Sequence, residues 1–438
     1  MFRKSMLLLL LAAATAMAQQ SQPTVSAPSA SQATQVPASA QVLTLEDVIR
    51  EVQAQNPAIT SAQRTVEAQR RRVVQSGALP DPSVSVSYMG SATPFKTMAD
   101  DPSSYRGVSA MQMIPLGGKR GLQREMASKE VSASEADRLA VSRRLTADAK
   151  AAFYDYFYYD KALQITNRNK ARLEQIADIS EARYKVGKTM QSDVLRMHVE
   201  VTMLVQRAIT LEQQRETAAA RLNTLMGRAP DAPLPPAAEF RKEPLPSMAA
   251  LTTVAEANDP MLQKEQSMIE RNKVAVAMAR KEYIPDLSVG YMYQQRTMMP
   301  DMYGMQFQVN IPVFYKSKQR EAVEAAKLDL LSSEKSRESR KLELQYELKQ
   351  MHAMAANADK MLDLYDKAII PQAQLALASA QSSYSVGTSD FLTVLANFST
   401  IHGYQIDYYR QLADYETALA RIEAITGDLN QVSMEARQ

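Results

Sequence analysis

Residues 182–195 read ARYKVGKTMQSDVL and residues 382–395 read SSYSVGTSDFLTVL, so that Tyr, Val, Gly, Val and Leu recur in one order at a spacing of 200. In both copies a long helical pattern runs up to Tyr-x-Val-Gly, and a new apolar rhythm starts a few polar residues later. Glycine tolerates the left-handed geometry with which a helix stops. Each stretch is therefore the tip of a helical hairpin, where one long helix ends and its return helix begins.

The repetition reaches well beyond the tips. Ala54-Gln-Asn-Pro57-Ala-Ile59 is echoed by Ala257-Asn-Asp-Pro260-Met-Leu262, LPDPSVSVSY (79–88) by IPDLSVGYMY (284–293), Ile114-Pro115-Leu116 by Ile311-Pro312-Val313, and LNTLMGR (222–228) by IEAITGD (422–428). Landmarks in a constant order mean that a unit of about 185 residues is duplicated. The first repeat spans 44–228 and the second 248–428, followed by a tail at 429–438. GRAPDAPLPPAAEFRKEPLP (227–246) carries six prolines, too many for helix or central strand, which makes 229–247 the connector.

Inside each repeat the period changes in a fixed sequence. A helical pattern opens it, with Thr44 as N-cap and Asp47 in the capping-box position of the first copy. Period-2 segments follow at about 82–90 and 106–114, and again at about 286–294 and 303–311. Val84, Val86 and Tyr88 oppose three serines, and Met305, Phe307, Val309 and Ile311 oppose Gln306, Gln308 and Asn310, whereas 108–114 alternates poorly. About nine residues suit a tilted strand crossing a membrane. Polar, proline-containing loops at 92–104 and 294–302 join each pair. Helical runs from about Lys119 to Tyr184 and from about Gln319 to Tyr384 come next, each ~100 Å long at 1.5 Å per residue. Leu344, Leu348, Met351, Ala355, Ala358, Leu362, Tyr365 and Ile369 keep a coiled-coil alternation, and Pro371 is expected to kink or break the second run.

Composition narrows the function. The 438 residues include no Cys, which removes disulfides, thiolate metal sites and cysteine nucleophiles. Formal charge is +3, or +1 without residues 1–18, which hold Arg3 and Lys4 and no acid, and cations alternate with acids, so nucleic acid is not an expected partner. MFRKSMLLLLLAAATAMAQQ reads as a cleaved export signal ending at residue 18, and the Ser, Gln, Ala and Pro of 19–43 as a disordered leader. His198, His352 and His402 lie on separate helical runs, and no phosphate loop, nucleophile elbow or metalloprotease motif occurs, so neither an enzyme nor a cofactor is expected.

Four amphipathic strands cannot close a barrel alone, because open edges leave backbone groups unsatisfied in lipid. Three chains would supply twelve strands around a lumen lined by Ser, Gln, Asn and Gly, with Tyr88, Tyr105, Tyr291, Tyr293 and Tyr303 as interfacial aromatics.

Signal, duplicated helix-strand-strand-long helix-helix unit, Ile-Pro at each passage from strand to helix and Tyr-x-Val-Gly tips together resemble the TolC-type outer-membrane efflux factors, over about residues 44–428. MQMIPLGGKRGLQREMASKE (111–130) further resembles the heavy-metal (CusC/CzcC) branch. The resemblance implies a mainly α fold with a membrane β-barrel part: a homotrimer with a 12-stranded barrel in outer-membrane lipid and a long α-helical coiled-coil tunnel in the periplasm. It implies the exit channel of a tripartite efflux system, docked by a periplasmic membrane-fusion adaptor and driven by an inner-membrane pump of the RND type. Metal ions, copper or silver among them, are the expected cargo. Multidrug export and type I protein secretion are the alternatives on the same fold, and a soluble periplasmic coiled-coil adaptor or a surface stalk are rivals of another class.

By the same resemblance Val186, Gly187, Lys188, Val386, Gly387 and Thr388 form the adaptor-facing turns, and Asp193 bonds across to Tyr384 to hold the periplasmic mouth closed. Ser389, Thr393 and Ala396 depart from the family's arginine and aspartates there, leaving Asp390 as the candidate for an acidic ring. Met298, Met299, Met302 and Met305 cluster in TMMPDMYGM, where thioethers would suit Cu(I) or silver, although methionine also serves as packing filler.

Overall fold

The computed structural model describes residues 42–427 except Ala99, Lys188, Met298 and Gly387. The export signal, the leader up to residue 41, Asp428 and the tail lie outside the described residues. Leu43, assigned from composition to a disordered leader, is instead ordered. Its N–H donates to Pro236 O (2.9 Å) and its carbonyl accepts from Ala238 (2.9 Å), forming a parallel bridge with Ala237. An apolar side chain at the end of a polar leader has a core to enter, and Leu43 is 7% exposed.

The first copy comprises α1 (Leu45–Gln55), α2 (Pro57–Ser76), β1 (Ser83–Met89), β2 (Tyr105–Ile114), α3 (Lys119–Lys185) and α4 (Gln191–Met226). The second comprises α5 (Met248–Asn258), α6 (Pro260–Lys281), β3 (Asp286–Arg296), β4 (Met302–Asn310), α7 (Gln319–Leu364), α8 (Ile370–Ser385) and α9 (Phe391–Thr426). The second long helix is not broken at Pro371. A π-helical turn, Tyr365–Ile369, joins α7 to α8, and Ile370 N–H reaches back five residues to Tyr365 O. Widening the turn relieves the clash that the proline ring makes with a carbonyl four residues earlier. The 46 residues of α7, five of the π turn and 16 of α8 equal the 67 of α3 in length.

α2 and α4 pack along one side of α3, α6 and α9 along the other, and α7 continues the layer beyond α6 and α9. The echoed Asn-Pro and Asp-Pro motifs are the joints of this layer. Asn56 caps α2 by accepting from Ala58 N–H (2.9 Å) and donates to Leu225 O near the end of α4 (2.8 Å). Asp259 caps α6 through Leu262 N–H (2.7 Å) and pairs with Arg340 of α7 (3.4 Å). The proline after each cap has a fixed φ suited to the first helical turn and no N–H to leave orphaned.

At the strand end of the layer, Gly117 and Gly118 take left-handed φ of 73° and 79°, turning the chain out of β2 into α3. A side chain at Gly117 would lie 2.6 Å from Ile284 Cδ1. This close turn buries Lys119, 4% exposed, whose Nζ donates to both Asp286 oxygens (2.9 and 3.0 Å) and to Ile284 O (3.0 Å). Leu116 N–H also donates to Asp286 Oδ1 (3.1 Å). The start of α3 is thereby fixed to the start of β3, one copy to the other.

Midway along α3, the run FYDYFYYD packs on the connector. Phe153, Tyr154, Tyr156, Phe157 and Tyr158 are buried. Phe240 of the connector sits 5.0 Å from the Tyr154 ring and 4.8 Å from that of Phe157. Tyr415 donates to Glu243 O (2.6 Å), and Glu416 beside it is 3% exposed and accepts from Glu243 N–H (3.4 Å). Burial outweighs its hydrogen bonds and Lys150, pushing the Glu416 carboxyl up to about 7. The folded chain holds this proton more tightly than the unfolded one, so the stabilisation is complete below the ordinary carboxylate pKa and is lost as pH rises through about 7. Thermal unfolding at pH 5 and pH 8 is expected to differ in wild type, and Glu416→Gln is expected to shrink that difference by raising the midpoint at pH 8.

Candidate functional site

The four strands form one antiparallel sheet in the order β1-β2-β3-β4. Residues paired across an antiparallel ladder point to the same side. Val84 and Val86 face Ala110 and Val108; these face Tyr291 and Tyr293, which in turn face Met305 and Tyr303. Leu287 and Val289 extend the same surface through Val309 and Phe307. Val84 (68%), Phe307 (65%) and Met305 (69%) are exposed in the isolated chain, an apolar face of the kind lipid would cover. Ile311, which continues the apolar alternation of β4, is exposed as well, and so are Val313 and Phe314 just beyond it.

The opposite face carries Ser83, Ser85, Ser87, Ser109, Ser288, Gln294, Gln306, Gln308 and Asn310 with Gly107, Gly290 and Gly304. Ser85 and Ser109 share a hydrogen bond of 2.7 Å across the strands. The poor alternation of β2 comes from Arg106 and Gln112 on the apolar face and Met111 and Met113 on the polar one. Tyr88, Tyr291, Tyr293 and Tyr303 lie on the apolar face, but Tyr105 lies on the polar face, one residue out of the phase expected for an interfacial aromatic. The second inter-strand loop is shorter than its sequence pattern, because β3 continues to Arg296.

The register also divides the TMMPDMYGM methionines. Met302 pairs with Gln294 on the polar face and Met305 with Tyr291 on the apolar face, so these two cannot serve one ion; Met298 lies outside the described residues. Met111 and Met292 instead share the polar face with Met302, together with Met89 and Met113. A Cβ at Gly290 would meet Met111 Cε at 3.5 Å, and one at Gly304 would meet Met292 Sδ at 3.3 Å. Each of these methionines therefore lies over a glycine of the neighbouring strand.

At the far end of the helices, Gly187 has φ +70° and donates to Tyr184 O (2.9 Å), closing α3. Val186, Met190 and Val386 are exposed, while Lys188 and Gly387 lie outside the described residues. Thr388 closes α8 by donating its N–H and its hydroxyl to Ser383 O (2.9 and 3.1 Å). Asp193 and Tyr384 line the same cavity of ≈ 1210 Å³, but the expected bond between them is not the one formed. Tyr384 Oη meets Thr189 Oγ1 (3.4 Å), and its ring packs against Phe391 at 5.6 Å. Asp193 stands in the first turn of α4, where the helix dipole favours an acid. Thr189 and Phe391 were hidden from a motif reading, since only their spatial meeting with Tyr384 gives them a role. Asp390 is the N-cap of α9, accepting from Thr393 hydroxyl (2.7 Å) and N–H (2.9 Å), and these bonds hold its carboxyl below the usual range.

Among the described residues no helix is long and apolar enough to cross a membrane. What the fold defines is a channel-building chain, with a sheet bearing one apolar and one hydrophilic face at one end of a long helical layer. The family model for outer membrane efflux proteins matches residues 48–228 and 251–428. The chain belongs to that family: it is an outer-membrane efflux channel protein with its helical part in the periplasm, and not an enzyme. VceC from the bacterial pathogen Vibrio cholerae is similar in fold, with a TM-score of 0.73 at 14% identity over 87% of this chain and 96% of VceC. CusC gives a TM-score of 0.73 at 14% identity over 87% of this chain and 92% of its own. The open state of the Neisseria gonorrhoeae channel MtrE gives 0.71 at 18% identity, over 87% and 89% respectively. No curated protein sequence matches the chain.

Replacing Asp390 by Ala removes the cap of α9 and is expected to loosen the first turn of that helix. Hydrogen exchange at the Phe391–Val394 amides should quicken while α3 amides keep their protection.

Proposed function

We propose that three copies of this chain close into the exit duct of a tripartite efflux system. The observation that carries the reading is the pair of sheet edges: β1 and β4 each have a strand on one side only among the described residues. An edge left open in hydrocarbon would forfeit a row of backbone hydrogen bonds, and pairing β4 of one copy with β1 of the next recovers them. Exposed apolar residues on the two flanks of the helical layer, Leu195, Val199 and Ile209 on α4 and Leu328, Leu342 and Tyr346 on α7, support closure along the tunnel as well. In this assembly the apolar strand face meets outer-membrane lipid and the hydrophilic face lines water. The hairpin tips, with Val186 and Val386 outermost, are the surface for a periplasmic adaptor, which would join the duct to an inner-membrane pump of the RND type. Asp193, Tyr384 and Thr189 belong to the closure of the mouth, with Tyr384 held to Thr189 and Asp193 lining the same cavity.

The cargo we propose is a soft metal ion, Cu(I) or Ag(I). Met113, Met111, Met292 and Met302 follow one another diagonally across β2, β3 and β4 on the hydrophilic face, from the helix end of the sheet to its outer loop. Thioethers in water attract soft cations while leaving hard ones free to pass.

Detergent-extracted protein is expected to run as a trimer that resists heating in detergent and to give single-channel conductance in a planar bilayer, rising when Tyr384→Phe and Thr189→Val loosen the mouth. A monomeric or non-inserting protein would remove the duct reading. Silver ions are expected to block the wild-type current at concentrations that leave a Met111→Leu, Met113→Leu, Met292→Leu, Met302→Leu variant conducting. Equal block of both would set the metal cargo aside in favour of drug or protein export.

A further inference from the structure

The two copies meet twice around a closed ring, once inside each chain and once between chains, and only the first meeting is complete in the isolated chain. Inside the chain, Lys119 at the first position of α3 is bound to Asp286 at the start of β3. Gln319 is the counterpart of Lys119: it stands 200 residues on, opens α7 as Lys119 opens α3, and is similarly buried at 7% exposure. Its Oε1 is buried with no hydrogen-bond partner. The Gln319 side chain thus makes none of the polar contacts that Lys119 makes with the strand beside it among the described residues.

The counterpart of Asp286 is identified by the same equivalence. In LPDPSV and IPDLSV, Asp81 corresponds to Asp286. Asp81 lies two residues before the first residue of β1, is exposed, and has neither an ion pair nor a side-chain hydrogen bond among the described residues. β1 and β4 are opposite edges of the sheet, so Gln319 and Asp81 of one chain stand on opposite flanks. The path from Ile311 to Gln319 is eight residues against five from Ile114 to Lys119, and the longer path carries Lys316 and Lys318, which also have no ion pair among the described residues.

We infer that the junction between barrel and tunnel is latched across the subunit boundary by Gln319, with the cations of the 311–318 turn, engaging Asp81 of a second copy of this chain. The inference rests on the ring closure proposed above. The amide N–H groups supply donors for the Asp81 carboxylate, as the Lys119 ammonium does at Asp286. The boundary thus follows the plan of the in-chain latch but moves its positive charge from the buried position to the exposed turn.

The absence of cysteine makes the test direct. A Gln319→Cys, Asp81→Cys chain treated with a short bis-maleimide is expected to yield covalent dimers and trimers in detergent. A Lys119→Cys, Asp286→Cys chain should give only an internally linked monomer of altered mobility. A protein that is trimeric by light scattering yet gives no covalent oligomer would overturn the latch and leave the duct standing; a wild-type protein that is not trimeric would overturn the reading beneath both. As a second measurement, Gln319→Glu sets two carboxylates together and is expected to lower the temperature at which the trimer dissociates, with Asp81→Asn restoring it. Failure of Asp81→Asn to restore it would equally overturn the latch.

Discussion

A β-strand edge in hydrocarbon has no water to satisfy its N–H and C=O groups, and this constraint organises everything else in the chain. With four strands and two open edges, the sheet is viable in a membrane only as part of a ring. The ring in turn requires that the helices beneath it form a wall of matching circumference. Duplication meets that demand, because each strand pair arrives with one long helix and one stacked column of two shorter ones. Asn56 ties the start of α2 to the end of α4, and Arg143 donates to both Asn258 O before α6 and Ile425 O near the end of α9, so that the wall is as continuous as the uninterrupted 67-residue α3 beside it.

The same constraint assigns the polar interactions their places. Lys119 is buried and pairs with the partly exposed Asp286, so the ammonium is expensive to desolvate and the pair is seldom the most stabilising choice available. Here its value is positional. It fixes where α3 leaves the sheet, so the strand register and the helix azimuth are set together. Glu416 plays a different part around the connector, where burial rather than pairing governs its protonation.

Much of this was legible in the residues themselves. The hairpin tips, the strand pairs and the duplication could be read because each rests on local periodicity or on a glycine with a stereochemical task, as at Gly187. What could not be read was pairing between distant segments. The phase of β2 was obscured by Met111 and Met113 until its register with β1 and β3 placed them opposite Ser83 and Ser288. Tyr384 offered a hydroxyl to several partners within reach, and a motif borrowed from a family names Asp193 where this chain forms the contact with Thr189. Leu43 was masked by the composition of the residues before it, since a window average cannot see that one leucine reaches a core.

The π turn at Tyr365–Ile369 separates two helices of equal residue count that were otherwise interchangeable. Residues in a wider turn advance less in angle for each step along the chain, so every side chain beyond it is out of phase with its counterpart 200 residues earlier. The two hairpins of one chain therefore present different sides at their tips despite sharing a motif. Around a closed ring this converts six nearly alike positions at the strand end into two alternating sets of three at the tip end. A docking protein arriving there meets a surface whose repeat is the subunit and not the half-subunit, and a proline at the second position of α8 is enough to impose that lower symmetry.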